Sequence, residues 1–234
     1  MNLILLSQSD FLTKTTVRLT DRRFNHIQSI LKSKPDDKLS VGQLNGAIGE
    51  GKVLNITDQG VELAVTLHKS APQPLPLTLI VPMIRPPMFK RLLFHATTLG
   101  IKKIIVLNFN RVEKGLWNSS SLRPQEIQEQ LLLGLEQAKD TILPEVTIEQ
   151  RFKPFIEDKL PALAEGTLKL VAHPGGKPCP TQMKQAITLL IGPEGGLVDF
   201  EVEQLTKAGF IPIDLGPRIL RVDTALPYII GKLF

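Results

Sequence analysis

Two glycine-bearing turns lie close together near the end of the chain. The first is Gly192-Pro193-Glu194-Gly195-Gly196, the second Leu215-Gly216-Pro217-Arg218. Each follows a short apolar run, residues 187–191 and 210–215, that reads as a strand. Glycine has no Cβ, so its backbone can lie against a ligand. In open α/β sheets ligands bind where strands end in such turns. Either turn alone could serve only to join two elements. The pair also carries ionisable groups: Glu194 in the first turn, Arg218 and Arg221 around the second. A carboxylate can move a proton, and a guanidinium can hold a phosphate or an anion. The arginines are candidates for that work, or for ion pairs with Glu194 or Asp223. Glu194 is either a base or the group that fixes Arg221, and the residues leave both readings open.

The stretch 189–223 resembles the RsmE family of SPOUT-class RNA methyltransferases. Leu190-Ile191-Gly192-Pro193-Glu194-Gly195-Gly196 is similar to the family's first cofactor loop. Leu215-Gly216-Pro217-Arg218-Ile219-Leu220-Arg221 is similar to the second, followed by Asp223-Thr224-Ala225 where the family has Glu-Thr-Ala. The resemblance implies an S-adenosylmethionine-dependent methyltransferase acting on N3 of a uridine in 16S ribosomal RNA, of the uracil 1498 type. It implies a SPOUT-type α/β domain with a deep C-terminal trefoil knot, preceded by a small PUA-like β-barrel that binds RNA. It also implies a homodimer. Cofactor contacts carry over to Leu190, Ile191, Gly192, Gly195 and Gly196 in the first loop. In the second they carry over to Leu215, Gly216, Arg218, Ile219 and Leu220. His173, at the end of the preceding strand, joins them, or is a turn histidine bonded to backbone. Arg221 and Glu194 are the candidates for catalysis, and Arg22, Arg23, Arg85, Arg111 and Lys114 those for RNA contact. Arg111 and Lys114 fall where the family has basic residues, and Arg22 and Arg23 belong either to an RNA-binding face or to a solvated helix face. Some positions depart from the pattern. Thr98 stands where the family has Glu before Leu-Gly, and Met88 and His95 where it has lysines. These departures admit an alternative, an RNA-binding SPOUT paralogue with another target or little activity. A nicotinamide enzyme would need a G-x-G-x-x-G turn after a strand, and neither turn has that spacing.

The elements that must position these loops follow from the rest of the chain. Residues 1–70 alternate short apolar runs at 2–6, 15–19, 39–44, 52–56 and 61–67 with glycine and asparagine turns, the pattern of a small β-barrel. One helix interrupts, from Asp21 as its cap to Lys32. Residues 71–76, with three prolines, form a linker, since proline sustains neither a helix nor a central strand. From 77 to 234 strands and helices alternate, which implies a mostly parallel sheet with helices on its faces. Strands are expected at 77–81, 101–109 and 168–172, and helices at 88–99, 122–140 and 199–208. The last helix is expected to start near Ala225 with Thr224 as cap, so that Pro227 falls at its third position, where a missing N–H costs nothing. That helix is apolar nearly all round, which independently suggests a partner subunit.

The 234 residues carry a net charge of +5 and a pI of about 9.3, compatible with a phosphate-bearing partner. One cysteine, Cys179, excludes a disulfide framework, and the four histidines lack metal-ligand spacing. No metal is expected. No apolar run reaches membrane length and no leader peptide is apparent, so the setting expected is soluble and cytoplasmic.

Overall fold

The computed structural model describes residues 2–234 and divides them into two compact units. One unit comprises the residues up to Gln73 together with Leu132–Leu143; the other comprises Pro74–Leu131 and Pro144–Phe234.

The first unit is built on one five-stranded sheet. Its strands are β1 (Ile4–Leu6), β2 (Thr16–Leu19), β3 (Lys38–Gln43), β4 (Ile48–Thr57) and β5 (Gly60–Lys69), in the order β1-β3-β4-β5-β2. Only β1 and β3 run parallel. Alternate residues point inward, so Val17, Leu19, Val41, Val53, Val61 and Leu63 form a core over which Phe24 and Ile27 pack. Helix α1 (Arg22–Asn25) starts where the Asp21 carboxylate accepts the Arg23 N–H at 2.9 Å. It continues as a wider π-type turn over His26–Ile30, so the helix expected up to Lys32 ends two residues sooner.

Arg22 and Arg23 are both engaged by carboxylates of their own unit. The Arg23 guanidinium bonds both oxygens of Asp10, at 2.6 and 2.8 Å, both oxygens of Asp21 and the Leu5 carbonyl. Its side chain is only 12% exposed. Desolvation opposes its charge, but the two carboxylates outweigh this and raise its pKa. Arg22 grips the buried Glu136 with two bonds, at 2.9 and 2.6 Å. Removing either arginine would strand a carboxylate. Arg23 is thus enclosed by the unit's own structure, whereas Arg22, though paired with Glu136, keeps 46% of its side chain exposed.

The second unit is an all-parallel six-stranded sheet in the order β11-β9-β10-β6-β7-β8. Its strands are β6 (Leu77–Pro82), β7 (Lys103–Leu107), β8 (Glu145–Glu149), β9 (Leu168–Pro178), β10 (Ile187–Ile191) and β11 (Ile211–Asp214). The helices are α2 (Pro86–Thr98), α3 (Pro124–Ala138), whose residues from Leu132 on belong to the first unit, the short α4 (Phe152–Pro154) and α5 (Leu160–Leu163), α6 (Asp199–Lys207) and α7 (Val222–Leu233). The central strand β10 is buried at every position, which is why it reads as a continuous apolar run.

Three features differ from expectation. Strand β8 joins the sheet's far edge and is followed by a helical stretch, and neither element was anticipated. Strand β9 does not end at Ala172. It pairs with β11 through Val171, loops out, and resumes pairing at Lys177. The loop closes at Gly176, where a Cβ would lie 2.6 Å from the Pro212 carbonyl, so only glycine allows the two backbones to meet. Helix α7 starts at Val222, not Ala225. The Arg221 carbonyl accepts from Thr224 and Ala225, at 3.0 and 2.7 Å, so Arg221 and not Thr224 occupies the cap position. Pro227 therefore lies inside the helix, where it leaves the Asp223 carbonyl without its helical donor. The apolar faces of α7 are covered within the chain. Ile229 and Ile230 are buried, and the helix packs on α2 and β10. They are core residues and do not form a free surface.

Among the described residues no helix is long and apolar enough to cross a membrane, and no cluster of three metal-ligating side chains occurs.

Candidate active site

The three neighbouring strands β10, β9 and β11 all end on the same side of the sheet. The loops that leave them enclose a cleft of about 370 Å³. That volume lies in the range of small-molecule sites, about 300–1,000 Å³. One wall is the β9 loop with His173, half-buried. The second is the first glycine turn, from Ile191 to Leu197, closed by a bond from the Gly196 N–H to the Pro193 carbonyl at 2.8 Å. The third is the second glycine turn, with Leu215, Gly216, Arg218, Ile219 and Leu220. Ile219 is 82% exposed at the rim. Val222 and Ala225 of α7 form the floor.

Each loop is held by a side chain. Asp214 joins the first and third walls: Oδ1 accepts the Gly216 N–H at 2.6 Å and Oδ2 the Gly175 N–H at 2.7 Å. Those two bonds, Gly216 first, hold its carboxyl below the usual carboxylate range. Glu201 is 2% exposed and bonds the Asn110 N–H at 2.7 Å and the Val198 N–H at 3.0 Å. It thereby ties the loop after β7 to the start of α6. Arg111 donates to the Gly195 carbonyl at 2.6 Å. None of these three fixings was read in advance. Asp-x-Gly at 214–216 is the signature of an Asx turn, and Glu201 stands where the third residue of a helix reaches back to its cap, so both had a local signal.

The structure brings His173, Ile191, Gly192, Glu194, Gly195, Gly196, Leu215, Gly216, Arg218, Ile219 and Leu220 to one cleft. It does not bring Leu190 there: that residue is 0% exposed in β10 and serves the core. Arg221 caps α7, exposed, and does not line the cleft. Among the described residues no ion pair occupies Arg218, Arg221 or Glu194. Asp223, a possible partner for the arginines, instead lies 3.3 Å from Arg91. A smaller pocket of about 160 Å³ shares the turn Pro193-Glu194-Gly195 with the cleft and is lined on its other side by Arg85 and Arg111. Lys114 lies apart from it, in a neighbouring groove. Of the departing positions on α2, Met88 is buried, the Thr98 hydroxyl bonds the Phe94 carbonyl, and none of Met88, His95 and Thr98 lines the cleft. A Cβ at Gly195 would meet Arg111, at 3.2 Å from its Cβ, and would not enter the cleft, contrary to the expectation that this glycine leaves room for a ligand.

Residues 71–233 match the family model of the RNA methyltransferase domain. The chain is 27% identical over 231 residues to ribosomal RNA small subunit methyltransferase E 1 of Borreliella burgdorferi, covering 96% of this chain and 94% of that protein. It is equally identical over 234 residues to the methyltransferase E of Treponema pallidum, covering 96% of this chain and 87% of that one. Among solved structures, a probable rRNA-methyltransferase from Porphyromonas gingivalis superposes with a TM-score of 0.76 at 18% identity, over 99% of this chain and 95% of that one. A ribosomal RNA small subunit methyltransferase E from Neisseria gonorrhoeae, bound to S-adenosyl methionine, superposes with a TM-score of 0.72 at 23% identity, over 98% and 96%. These two share the fold. The family match covers well over half of the sequence and includes all three walls of the cleft, so the chain belongs to the RNA methyltransferase domain family, as a relative of the small subunit methyltransferase E proteins.

Proposed function

We propose that the cleft binds S-adenosylmethionine and that the chain methylates N3 of a uridine in 16S ribosomal RNA. The observation that carries this reading is the wall formed by Pro193-Glu194-Gly195, which borders both the cleft and the small arginine-lined pocket. A methyl donor on one side of that wall and a base on the other would meet at Glu194. The names of the relatives support the ribosomal substrate, and the bound ligand of the Neisseria structure supports the cofactor.

The cleft's own residues fit the cofactor. Ile191, Leu215 and Leu220 offer an apolar slot for an adenine, and the loops present backbone groups around it. Gly216 has φ +107° and borders the cleft, and a Cβ there would meet no protein atom within 4 Å. What requires glycine there is the backbone conformation, which a side chain would strain. When bound, the cofactor supplies a methyl group activated by its sulfonium. Arg85 and Arg111 hold the uracil and the charge that develops on its oxygens. Glu194 accepts the N3 proton, since among the described residues no arginine engages its carboxylate. Arg221, outside the cleft, meets RNA phosphate, and Lys114 does the same from its groove. Calorimetry with S-adenosylmethionine tests the cofactor site: micromolar binding supports it, and no binding at millimolar ligand defeats it.

Asp214 gives a more specific outcome. Asp214→Ala frees two walls of the cleft and should weaken cofactor binding about tenfold, the effect of losing charge-assisted bonds near solvent. Its folded pKa is depressed, so its contribution is present above the ordinary aspartate value of about 3.9 and is lost as pH falls through the folded value. Cofactor affinity should therefore not vary through this group above pH about 5, by the same reference value. A midpoint near neutrality that disappears in Asp214→Ala would contradict the assignment.

The first unit we read as a PUA-like barrel over residues 1–70 that binds RNA, followed by a 71–76 linker and a SPOUT domain over 77–234. We read the chain end as a trefoil knot. What supports the knot is that the last turn of α7 accepts from the connection between β9 and β10, Gln182 N–H to Lys232 and Met183 N–H to Leu233, at 3.3 and 2.6 Å. We also propose a homodimer, now through the exposed stripe Thr224, Pro227, Tyr228 and Gly231 of α7. Tyr228 is 40% exposed on it. Ile229 and Ile230 do not test it, because their burial within the chain makes a charge there unfold the protein. Tyr228→Glu should convert a dimer to a folded monomer, read by light scattering with circular dichroism. A wild-type mass near 25.9 kDa would defeat the proposal.

A further inference from the structure

The loop after β7 and the start of α6 enclose a second depression, of about 580 Å³. Trp117, Phe152 and Phe200 line it, with Lys114 and Lys153. Trp117 is the chain's one tryptophan. Its Nε1 donates to Asn108 Oδ1 at 2.9 Å, and Asn108 Nδ2 donates to the Gln150 carbonyl at 3.3 Å, so the indole's polar edge is satisfied and its plane fixed. Phe152 is held by Phe109, ring centroids 5.6 Å apart. Phe200, the second residue of α6, is 47% exposed. One exposed phenylalanine needs no explanation. Three rings and two lysines in one depression do.

The electrostatics favour an anionic occupant. Glu201 is the one carboxylate that lines the groove among the described residues, and both its oxygens are taken by backbone N–H groups. Lys153 has Glu157 at 3.7 Å along its own helical stretch and remains 61% exposed. Lys114 is exposed. Glu113 and Asp199 are neighbours in sequence but do not line the groove. Fixed aromatic faces beside flexible cations suit a single-stranded nucleotide, whose base stacks while its phosphate pairs. A folded-protein partner would be expected to meet a larger and flatter apolar surface.

We propose that this groove seats an unpaired nucleotide of the substrate RNA adjacent to the methylated one, its base against Trp117 and Phe200 and its phosphate on Lys114 and Lys153. The proposal rests on the reading of the chain as an RNA methyltransferase. The Glu201 bonds make the position useful, since they fix the groove to the loop that carries Arg111 and to the helix that follows the first glycine turn. A nucleotide held here would set the register in which the next base enters the arginine-lined pocket.

The test uses the full-length protein and small ribosomal subunits lacking the methyl group. Phe200→Ala should weaken subunit binding about 5- to 150-fold, the range for one base–aromatic stack, with an unchanged salt slope. Phe200→Tyr should restore it. Lys114→Ala and Lys153→Ala should each lower the salt slope by about 0.7, the value for one single-strand phosphate. All four variants should bind S-adenosylmethionine as the wild type does. Trp117 emission should be quenched by RNA and not by the cofactor. Wild-type binding with Phe200→Ala unaffected and Trp117 emission unchanged would overturn the groove and leave the methyltransferase reading standing. Failure of the wild type to bind subunits at all would overturn both.

Discussion

Replacing Glu194 with glutamine is expected to lower the rate of RNA methylation by about 10²- to 10⁴-fold, the contribution of a positioned proton acceptor. The side chain is exposed on a turn whose backbone bond, Gly196 to Pro193, does not involve it. The substitution should therefore leave folding untouched. Affinity for S-adenosylmethionine should stay within a few fold, because the cleft offers its ligand the backbone and apolar side chains of the same turn. Single-turnover measurement separates the two effects: the chemical step slows while the cofactor's dissociation constant holds. A variant that methylates RNA at the wild-type rate would remove Glu194 from the reaction. Arg221→Ala then becomes informative, since Arg221 lies outside the cleft. It should weaken RNA binding and leave the cofactor alone.

The second large effect is at Gly216. Its φ of +107° lies where a β-branched residue is a severe outlier, and its Cβ position opens to unfilled space bordering the cleft. Gly216→Val should remove measurable cofactor binding, a loss of at least about 100-fold, because relieving the backbone strain displaces a loop that walls the cleft. Gly195→Val acts differently. Its Cβ would press on Arg111, an exposed side chain that can move, so the damage should fall mainly on RNA contact and only weakly on the cofactor. Calorimetry on both variants distinguishes them. Equal loss of cofactor binding would show that the first turn is as close to the ligand as the second.

The parts of this site that could be read from the chain are those set locally. The two glycine turns, the strands before them and the helix between them were legible because glycine, a capping residue and an apolar run each act over a few positions. Eleven of the residues singled out do meet in one cleft. What escaped depends on partners distant in sequence. Strand β9 loops out because β11 returns to pair with its second half, and nothing in His173-Pro174-Gly175-Gly176 announces that partner. Arg22 and Arg23 looked like a basic helix face. They are bound by Glu136 and Asp10, one far along the chain and one in a different turn. Leu190 belongs to a motif otherwise full of contacts, but it lies one residue back inside β10, which is buried at every position, while Ile191 ends the strand at the cleft. The start of α7 was misplaced because Thr224 is a good cap by type, while the chain caps with the backbone of Arg221 and accepts a proline inside the helix. The apolar character of α7 was visible, but its cover is α2 of the same chain. Only the narrower stripe around Tyr228 is left for a partner.

The central claim is that the cleft and the adjoining pocket together transfer a methyl group to uridine N3. Its most direct test incubates the purified protein with small ribosomal subunits from cells lacking the gene and isotopically labelled S-adenosylmethionine. The 16S RNA is then digested to nucleosides and resolved by mass spectrometry. The account predicts label in 3-methyluridine, at a single position, with none appearing when Glu194→Gln or Gly216→Val replaces the wild type over the same time. Label in any other nucleoside, or no label with wild-type protein that binds the cofactor, would contradict it.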